Sequence, residues 1–327
     1  MFKKEMLAFD IGTFNTKVVL GVGKKNKVII NDAFIFPTPV GAVEDGQIVN
    51  AQVLQEEILK ILDQKGIYTS KAVFSLASSK AITRELVLPY VNEKKMAAMV
   101  PFELPKHIPI AVENYVIKHV TIDVFREENI KKARVLVIAL PKHVVRRYWD
   151  LSWDLEMQPT VLTLHGIAAA KFFPEISPLT GKSETVALID LGHLSINCNI
   201  ISEGKLIFNR IVSTAGFKIT PDEFKNYDKD ISPTSYNRNV KGTIDKWLEE
   251  IKLIFRFYYS LKDKNEIDRI VLLGGVANFE NLAMYMAEKL EIPTSVLLEN
   301  ERVVYRGKSS EFQLNEYFNA LSALLLN

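Results

Sequence analysis

With one cysteine in 327 residues, no disulfide can form within the chain. Cross-links therefore do not hold this fold, which suits a reducing compartment. Cys198 falls in an apolar run and reads as a small core hydrophobe. Charge of one sign is also lacking. The 41 Lys and Arg against 39 Asp and Glu leave +2, too weak a field to gather nucleic acid. No apolar run approaches the roughly 20 residues of a membrane-spanning helix, and Met1-Phe2-Lys3-Lys4 opens no signal peptide. The histidines, at positions 107, 119, 143, 165 and 193, are dispersed without metal-ligand spacing. These absences predict a cytoplasmic globular protein, peripheral on the inner face of the membrane only through partners. Its length suggests two or more domains of about 100–200 residues each.

What is present is a pattern written twice. Phe9-Asp10-Ile11-Gly12-Thr13-Phe14-Asn15-Thr16-Lys17 continues through an apolar strand to a turn at Gly23-Lys24. Ile189-Asp190-Leu191-Gly192-His193-Leu194-Ser195 does the same, turning at Gly204-Lys205. A repeat on this scale implies two similar halves facing each other, and a cleft between halves can hold a ligand. Each unit ends a strand in Asp and follows it two residues later with Gly. Gly permits a tight turn and close backbone approach, and turn N–H groups can converge on an anion. The Asp would repel phosphate directly but can hold Mg2+ through water, because that ion keeps most of its hydration shell. One Asp–Gly pair alone would be an ordinary turn; the second copy, at a matching offset, points to a nucleotide clamp. A third element, Arg269 to Leu273 followed by Gly274-Gly275-Val276, reads as a buried strand with room for a flat ring at its end.

The rest is organised around these elements. The first half predicts strands, a helix capped by Asn50 and ended by Gly66, and a strand at 72–77. The stretch 84–140, punctuated by Pro101, Pro105 and Pro109, reads as an inserted α+β subdomain. A helix over 142–156 and a strand over 160–164 return to the main fold. Pro174, Pro178 and Gly181 mark a linker. After the second meander, the pattern predicts a helix near 216–225 and a loop over 227–242. A helical stripe follows at Ile244, Trp247, Leu248, Ile251, Ile254, Phe255, Tyr258 and Leu261. The last strand is expected at 295–298 and the terminal helix at 311–325. The units are therefore 1–83, 84–140, 141–183 and 184–327, with a small helical part near 217–265. Gly181-Lys182-Ser183 is no P-loop, since Ile176 stands where its first Gly is required.

At these residues the chain resembles the actin/Hsp70/sugar-kinase superfamily, and within it the PilM group of type IV pilus assembly proteins, relatives of the division protein FtsA. Asp-x-Gly twice and Leu-Leu-Gly-Gly-Val-Ala carry the likeness, with Glu85-Leu86-Val87-Leu88-Pro89 and Phe102 to Pro109 in order between them. The resemblance implies an α/β, actin-like (ribonuclease H-like) duplicated two-domain fold with an inserted subdomain. It implies ATP and Mg2+ as ligands. Asp10, Gly12, Thr13, Asn15, Thr16 and Lys17 would form one phosphate loop, and Asp190, Gly192, Ser195 and Gly216 the other. Glu250 would lie near the ribose, Gly274, Gly275 and Val276 near adenosine, and Asp10 and Asp190 would hold Mg2+ through water.

The resemblance further implies a scaffold of a type IV pilus, or of a related type II secretion or competence machine. The partner would be the N-terminal cytoplasmic peptide of a PilN-like bitopic membrane protein, with Phe102, Ile108 and Pro109 in the docking region. The bulky His193 and Leu194 depart from the family's small loop residues, and no group is evident to position an attacking water. ATP binding with weak or absent hydrolysis is the expectation. A small-molecule kinase of the same superfamily would need a general base at an acceptor hydroxyl. A filament protein like FtsA would need a basic amphipathic tail. The sequence displays neither feature.

Overall fold

The computed structural model describes residues 5–174, 176, 181–214, 238–261 and 266–326. The chain opens with an antiparallel meander of β1 (Met6–Ile11), β2 (Asn15–Lys24) and β3 (Lys27–Pro37). A two-stranded ribbon, β4 (Val43–Glu44) and β5 (Gln47–Ile48), leads to α1 (Ala51–Lys65). The Asn50 side chain accepts from the Val53 N–H to start α1, and Gly66, in left-handed geometry, ends it. Then come β6 (Lys71–Leu76), β7 (Ile82–Pro89), α2 (Glu93–Glu103), β8 (Tyr115–Glu127) and β9 (Ile130–Pro141). They are followed by α3 (Lys142–Asp154), β10 (Gln158–Leu164) and the short α4 (His165–Ala169).

The second half repeats the plan. It begins with β11 (Thr185–Leu191), β12 (Ser195–Ser202) and β13 (Lys205–Ser213). It continues with α5 (Arg238–Ser260), β14 (Arg269–Leu273), α6 (Leu282–Leu290), β15 (Thr294–Val296), β16 (Val303–Tyr305) and α7 (Leu314–Ser322). The sheet orders are β10-β6-β1-β2-β3-β16 and β13-β12-β11-β14-β15. Without β16 the two orders coincide: a meander, then two strands parallel to its first member. The duplication legible in the sequence is thus one of topology.

Strand alternation decides what faces what. In β1, Leu7, Phe9 and Ile11 pack outward beneath α1 and α3, while Met6 and Ala8 face the other sheet. In β11, Ala187, Ile189 and Leu191 join Trp247, Ile251 and Phe255 of α5, while Val186 and Leu188 face inward. The inward faces share one core filled by Phe318 and Leu321 of α7 and by Leu324 just beyond it. Asp10 and Asp190 continue the inward-facing series.

A third sheet, ordered β7-β9-β8, is covered by α2 and has a core of its own, with Leu86, Met96, Val100, Leu104 and Val135. Pro101 lies within α2, which runs two residues beyond it and then tightens into a 3₁₀ turn at Leu104–Lys106.

Several elements differ from the sequence expectations. Of the loop expected over 227–242, residues 227–237 lie outside the described residues and the remainder yields to α5 from Arg238, because Val240 and Ile244 extend its buried stripe. At its other end Leu261 is 50% exposed, not core. The adenosine-side glycines lead into a 3₁₀ turn at Gly275–Asn278 before α6 starts at Leu282. The strand β16 was not foreseen. It pairs in parallel with β3, so a segment late in the chain completes the first sheet. The helix expected near 216–225, and Gly216 with it, lie outside the described residues.

Candidate functional site

At the ends of β1 and β11, Asp10 and Asp190 are buried, 5% and 9% exposed. Between them stands His165, the first residue of α4, also 5% exposed. Its Nε2 lies 3.2 Å from Asp10 Oδ1. Its Nδ1 faces Asn197 Nδ2 at 3.5 Å and Asp190 Oδ2 at 3.8 Å. On Asp10's other oxygen, Lys17 Nζ approaches Oδ2 to 3.5 Å. Lys17 follows from alternation: it opposes Asp10 across the β1–β2 ladder.

The imidazole's tautomer is assigned from the surrounding amides. Asn209 Nδ2 donates to Asn197 Oδ1 at 3.0 Å and to Asn199 Oδ1 at 2.8 Å. The Asn197 carbonyl is thereby an acceptor and its NH2 turns toward His165 Nδ1. That nitrogen accepts, and the proton sits on Nε2, donated to Asp10. The result is a directional chain from the second sheet through His165 to Asp10.

Asp190 is held differently. Asn319 of α7 donates to its Oδ2 at 2.7 Å, while Oδ1 is buried with no partner. Burial opposes ionisation of Asp10, but Lys17 and His165 overcome it and hold its carboxyl down at about 2. Burial likewise opposes the Lys17 ammonium, and Asp10, Asp190 and Glu316 more than offset it, raising its pKa. Burial raises Glu316, with Lys17 and Asn278 pulling the other way.

The two hairpin turns match bond for bond. Gly12 N–H donates to Asn15 O at 3.1 Å, and Gly192 N–H to Ser195 O at 2.9 Å. A Cβ on either glycine would stand 2.9 Å from that same oxygen, so glycine is required by the turn itself. Thr38 and Thr214 N–H groups close the loops onto Phe14 O and Leu194 O, at 2.9 and 2.8 Å. Thr13, Asn15 and Ser195 are half-buried at the turns. Thr16 is fully buried and its hydroxyl pairs with that of Thr38 at 2.8 Å, so it braces the loop from beneath. At the loop tips, the rings of Phe14 and His193 stack with centroids 4.5 Å apart.

Gly274 has φ +88°, and a Cβ there would lie 2.7 Å from Asp190 Oδ1 and 2.8 Å from Leu191 O. The space expected for a flat ring against this glycine is occupied by Asp190 and the β11 backbone. Gly275 is half-buried, and Val276 is buried in the core beneath α5. Glu250 is half-buried on α5. Phe102, near the end of α2, is 78% exposed; Ile108 packs partly on the small core, and Pro109 is exposed beyond it.

The donor set can be tested against Mg2+. Among the described residues, no three His, Cys, Asp or Glu side chains converge to ligate a metal directly. The unpartnered Asp190 Oδ1 is nevertheless a buried acceptor suited to a water of a hydrated ion. Asp10 has both oxygens engaged. The residues therefore fit a hydrated cation held chiefly from the Asp190 side.

Sequence reasoning set His165 aside as one dispersed histidine; the structure makes it the centre of the cluster. Asn197, Asn199, Asn209 and Asn319 were missed as well. One signal was available: two asparagines at alternate positions of an otherwise apolar strand, Ile196 to Ile200, put amides on a face that must be buried.

The model of the type IV pilus assembly protein PilM family matches residues 8–324. Among solved structures, the chain is similar to a PilM-PilN type IV pilus biogenesis complex, with 17% identity over 99% of this chain and 98% of that one, at a TM-score of 0.78. It is also similar to the ethanolamine utilization protein EutJ from Carboxydothermus hydrogenoformans, with 12% identity over 100% of this chain and 91% of that one, at a TM-score of 0.53. The fold is actin-like, as the motifs implied. Among the described residues, no helix is long and apolar enough to cross a membrane.

Proposed function

The chain belongs to the type IV pilus assembly protein PilM family, and from that premise we propose a nucleotide-responsive scaffold docked on the cytoplasmic face of the membrane through a PilN-like partner. The observation that carries the nucleotide half is the pairing of two matched hairpins whose aspartates meet within one buried cluster. ATP would sit with its phosphates between the loops at Gly12–Thr13 and Gly192–Ser195, near Lys17. Adenosine would lie on the Gly275 side, because Asp190 and the β11 backbone fill the space at Gly274, with Glu250 on the ribose side. Mg2+, when bound, would neutralise phosphate charge; Asp190 would hold it through water, with Asp10 opposite. The chain's own residues contribute position: Lys17 is fixed by Asp10, and the turn glycines bring backbone close. The His165 imidazole between the two aspartates is taken up by Asp10 and Asn197, which supports a reading of binding with weak or absent turnover. The units 1–83, 84–140, 141–183 and 184–327 would be the bodies that nucleotide rearranges, through unequal affinity for their arrangements.

The partner half rests on likeness over nearly the whole of both chains to the PilM–PilN complex. We place the partner's N-terminal peptide beside the inserted sheet, at exposed Phe102 with Ile108 and Pro109. An extended peptide can dock there through apolar anchors or by adding to a sheet edge. A second place has an observation in its favour. A groove of about 520 Å3 lies where edge strands β7 and β13 meet, lined by Ile82, Arg84, Phe208, Arg210 and Phe257.

The test is capture of a synthetic peptide carrying the N-terminal cytoplasmic residues of a PilN-like protein from the same genome, with and without Mg-ATP. Loss of capture in Phe102→Ala supports the first location, and loss in Arg84→Ala the second. Undiminished capture in both rejects these surfaces, and no capture by wild type rejects the scaffold reading.

A further inference from the structure

We propose that His165 is a positioning residue that couples the two halves: its imidazole meets Asn197 of the second sheet through Nδ1 and Asp10 of the first through Nε2. Its ligand consequence rests on the nucleotide reading above; its coupling role does not.

Three observations carry it. The imidazole has one donor and one acceptor, and the amide chain Asn209–Asn197–His165–Asp10 uses each once, in one direction. The docking is close-fitting: Gly166, next in α4, approaches Asn199 so nearly that a Cβ would fall 2.2 Å from Asn199 Oδ1. Only glycine lets α4 lie against β12 and bring His165 within reach of Asn197. Finally, the cluster spans both halves. Asp10 and His165 come from the first, Asn197, Asn199 and Asn209 from β12 and β13 of the second, and Asn319, on Asp190, from α7 in the shared core.

It follows that the Asp10 carboxylate is already engaged when the halves are together. A cation entering between Asp10 and Asp190 must compete with His165 Nε2–H for Asp10 Oδ1. His165 therefore restrains cation entry and ties closure of the cleft to what Asp10 binds.

The experiment uses the full chain and two substitutions. Gln offers both a donor group, its NH2, and an acceptor, its carbonyl oxygen; Leu offers neither at similar bulk. Halves are tracked by a disulfide between Phe14→Cys and His193→Cys, whose parent rings touch. The native Cys198 is buried and will not compete. Coupling predicts that His165→Leu slows cross-linking several-fold while His165→Gln leaves it near the parent rate. Equal rates in the Leu and Gln proteins would overturn the proposal, as would a parent-like rate in His165→Leu.

In parallel, Mg2+ alone and Mg-ADP are titrated while the thermal midpoint is followed. His165→Leu should respond at lower Mg2+ than wild type, because Asp10 Oδ1 is freed while Lys17 stays on Oδ2, with His165→Gln resembling wild type. An identical midpoint of response in all three overturns the competition. If no protein responds to either ligand while cross-linking behaves as expected, the nucleotide reading fails and the coupling stands. Should His165→Leu not fold, Asn197→Ala, which removes the donor to Nδ1 together with one of the two acceptors of Asn209, must slow cross-linking; an unchanged rate there overturns the proposal.

Discussion

Phe14 and His193 stack against each other from the tips of the two matched hairpins, their rings 24° from parallel. Each occupies the tip of a matched hairpin, so the contact joins the two loops proposed to grip phosphate. An aromatic contact of this kind is worth about 0.5–1.5 kcal/mol beyond area burial, enough to bias closure without locking it.

Phe14→Ala should therefore lower the thermal midpoint slightly and speed association of a fluorescent ADP analogue in stopped flow. An unchanged association rate would show that the stack does not gate the cleft.

Asp10 sets a limit on acid stability. Its carboxyl is depressed to about 2 in the folded protein, against 3.8 ordinarily. A depressed carboxyl contributes stability above its unfolded value, and that contribution is lost as pH falls through the folded one. The difference amounts to roughly 2 kcal/mol. Urea unfolding of wild type should weaken between about pH 4 and pH 2 by that much more than for Asp10→Asn.

Lys17 carries the opposite sign. Its folded pKa is raised by Asp10, Asp190 and Glu316 despite burial. Its contribution is complete below about 10.5 and is lost as pH rises through the higher folded value. Lys17→Gln should be less stable than wild type at neutral pH, and the gap should narrow as the pH passes above the ordinary lysine range. A gap constant with pH in urea melts would exclude this linkage.

Two glycines should not tolerate alanine. Gly166→Ala drives its Cβ to 2.2 Å from Asn199 Oδ1 and 2.8 Å from Leu206 Cδ1. Gly274→Ala adds a positive φ to a clash with Asp190 and Leu191. A loss of about 1–3 kcal/mol is expected for each from crowding alone. Asn199→Ala should rescue part of the Gly166→Ala loss in a double-mutant cycle, because it removes the atom struck. Strict additivity would show that the close approach is not the cause.

Cys198 is buried, and burial pushes its thiol up to about 12. It should react with a thiol reagent only at the rate of unfolding. Fast modification of the native protein would mean that the second sheet opens locally.

Much of the fold was legible because its signals are local. Asn50 and Gly66 announced both ends of α1, and period-two alternation announced the strands of both meanders. The paired Asp-x-Gly units announced the matched turns. The beginning of α5 was missed because polar residues near 238–243 mask a buried face that appears only once Val240 meets the sheet. β16 was missed because three residues carry little pattern; pairing with β3 makes them a strand.

By itself, the sequence determined the duplicated topology, the placement of Asp10 and Asp190 at the ends of matched strands, and the need for glycine at the turns. Each follows from spacing within a few residues. Only the tertiary structure decided what those aspartates meet. His165 lies 155 residues from Asp10, and no periodicity acts over such a distance. The bridge exists because two sheets close on one core and carry α4 between them. Once buried there, the imidazole and its asparagine neighbours had to find partners, since an unpaired polar group in that interior would cost the fold about 1–3 kcal/mol.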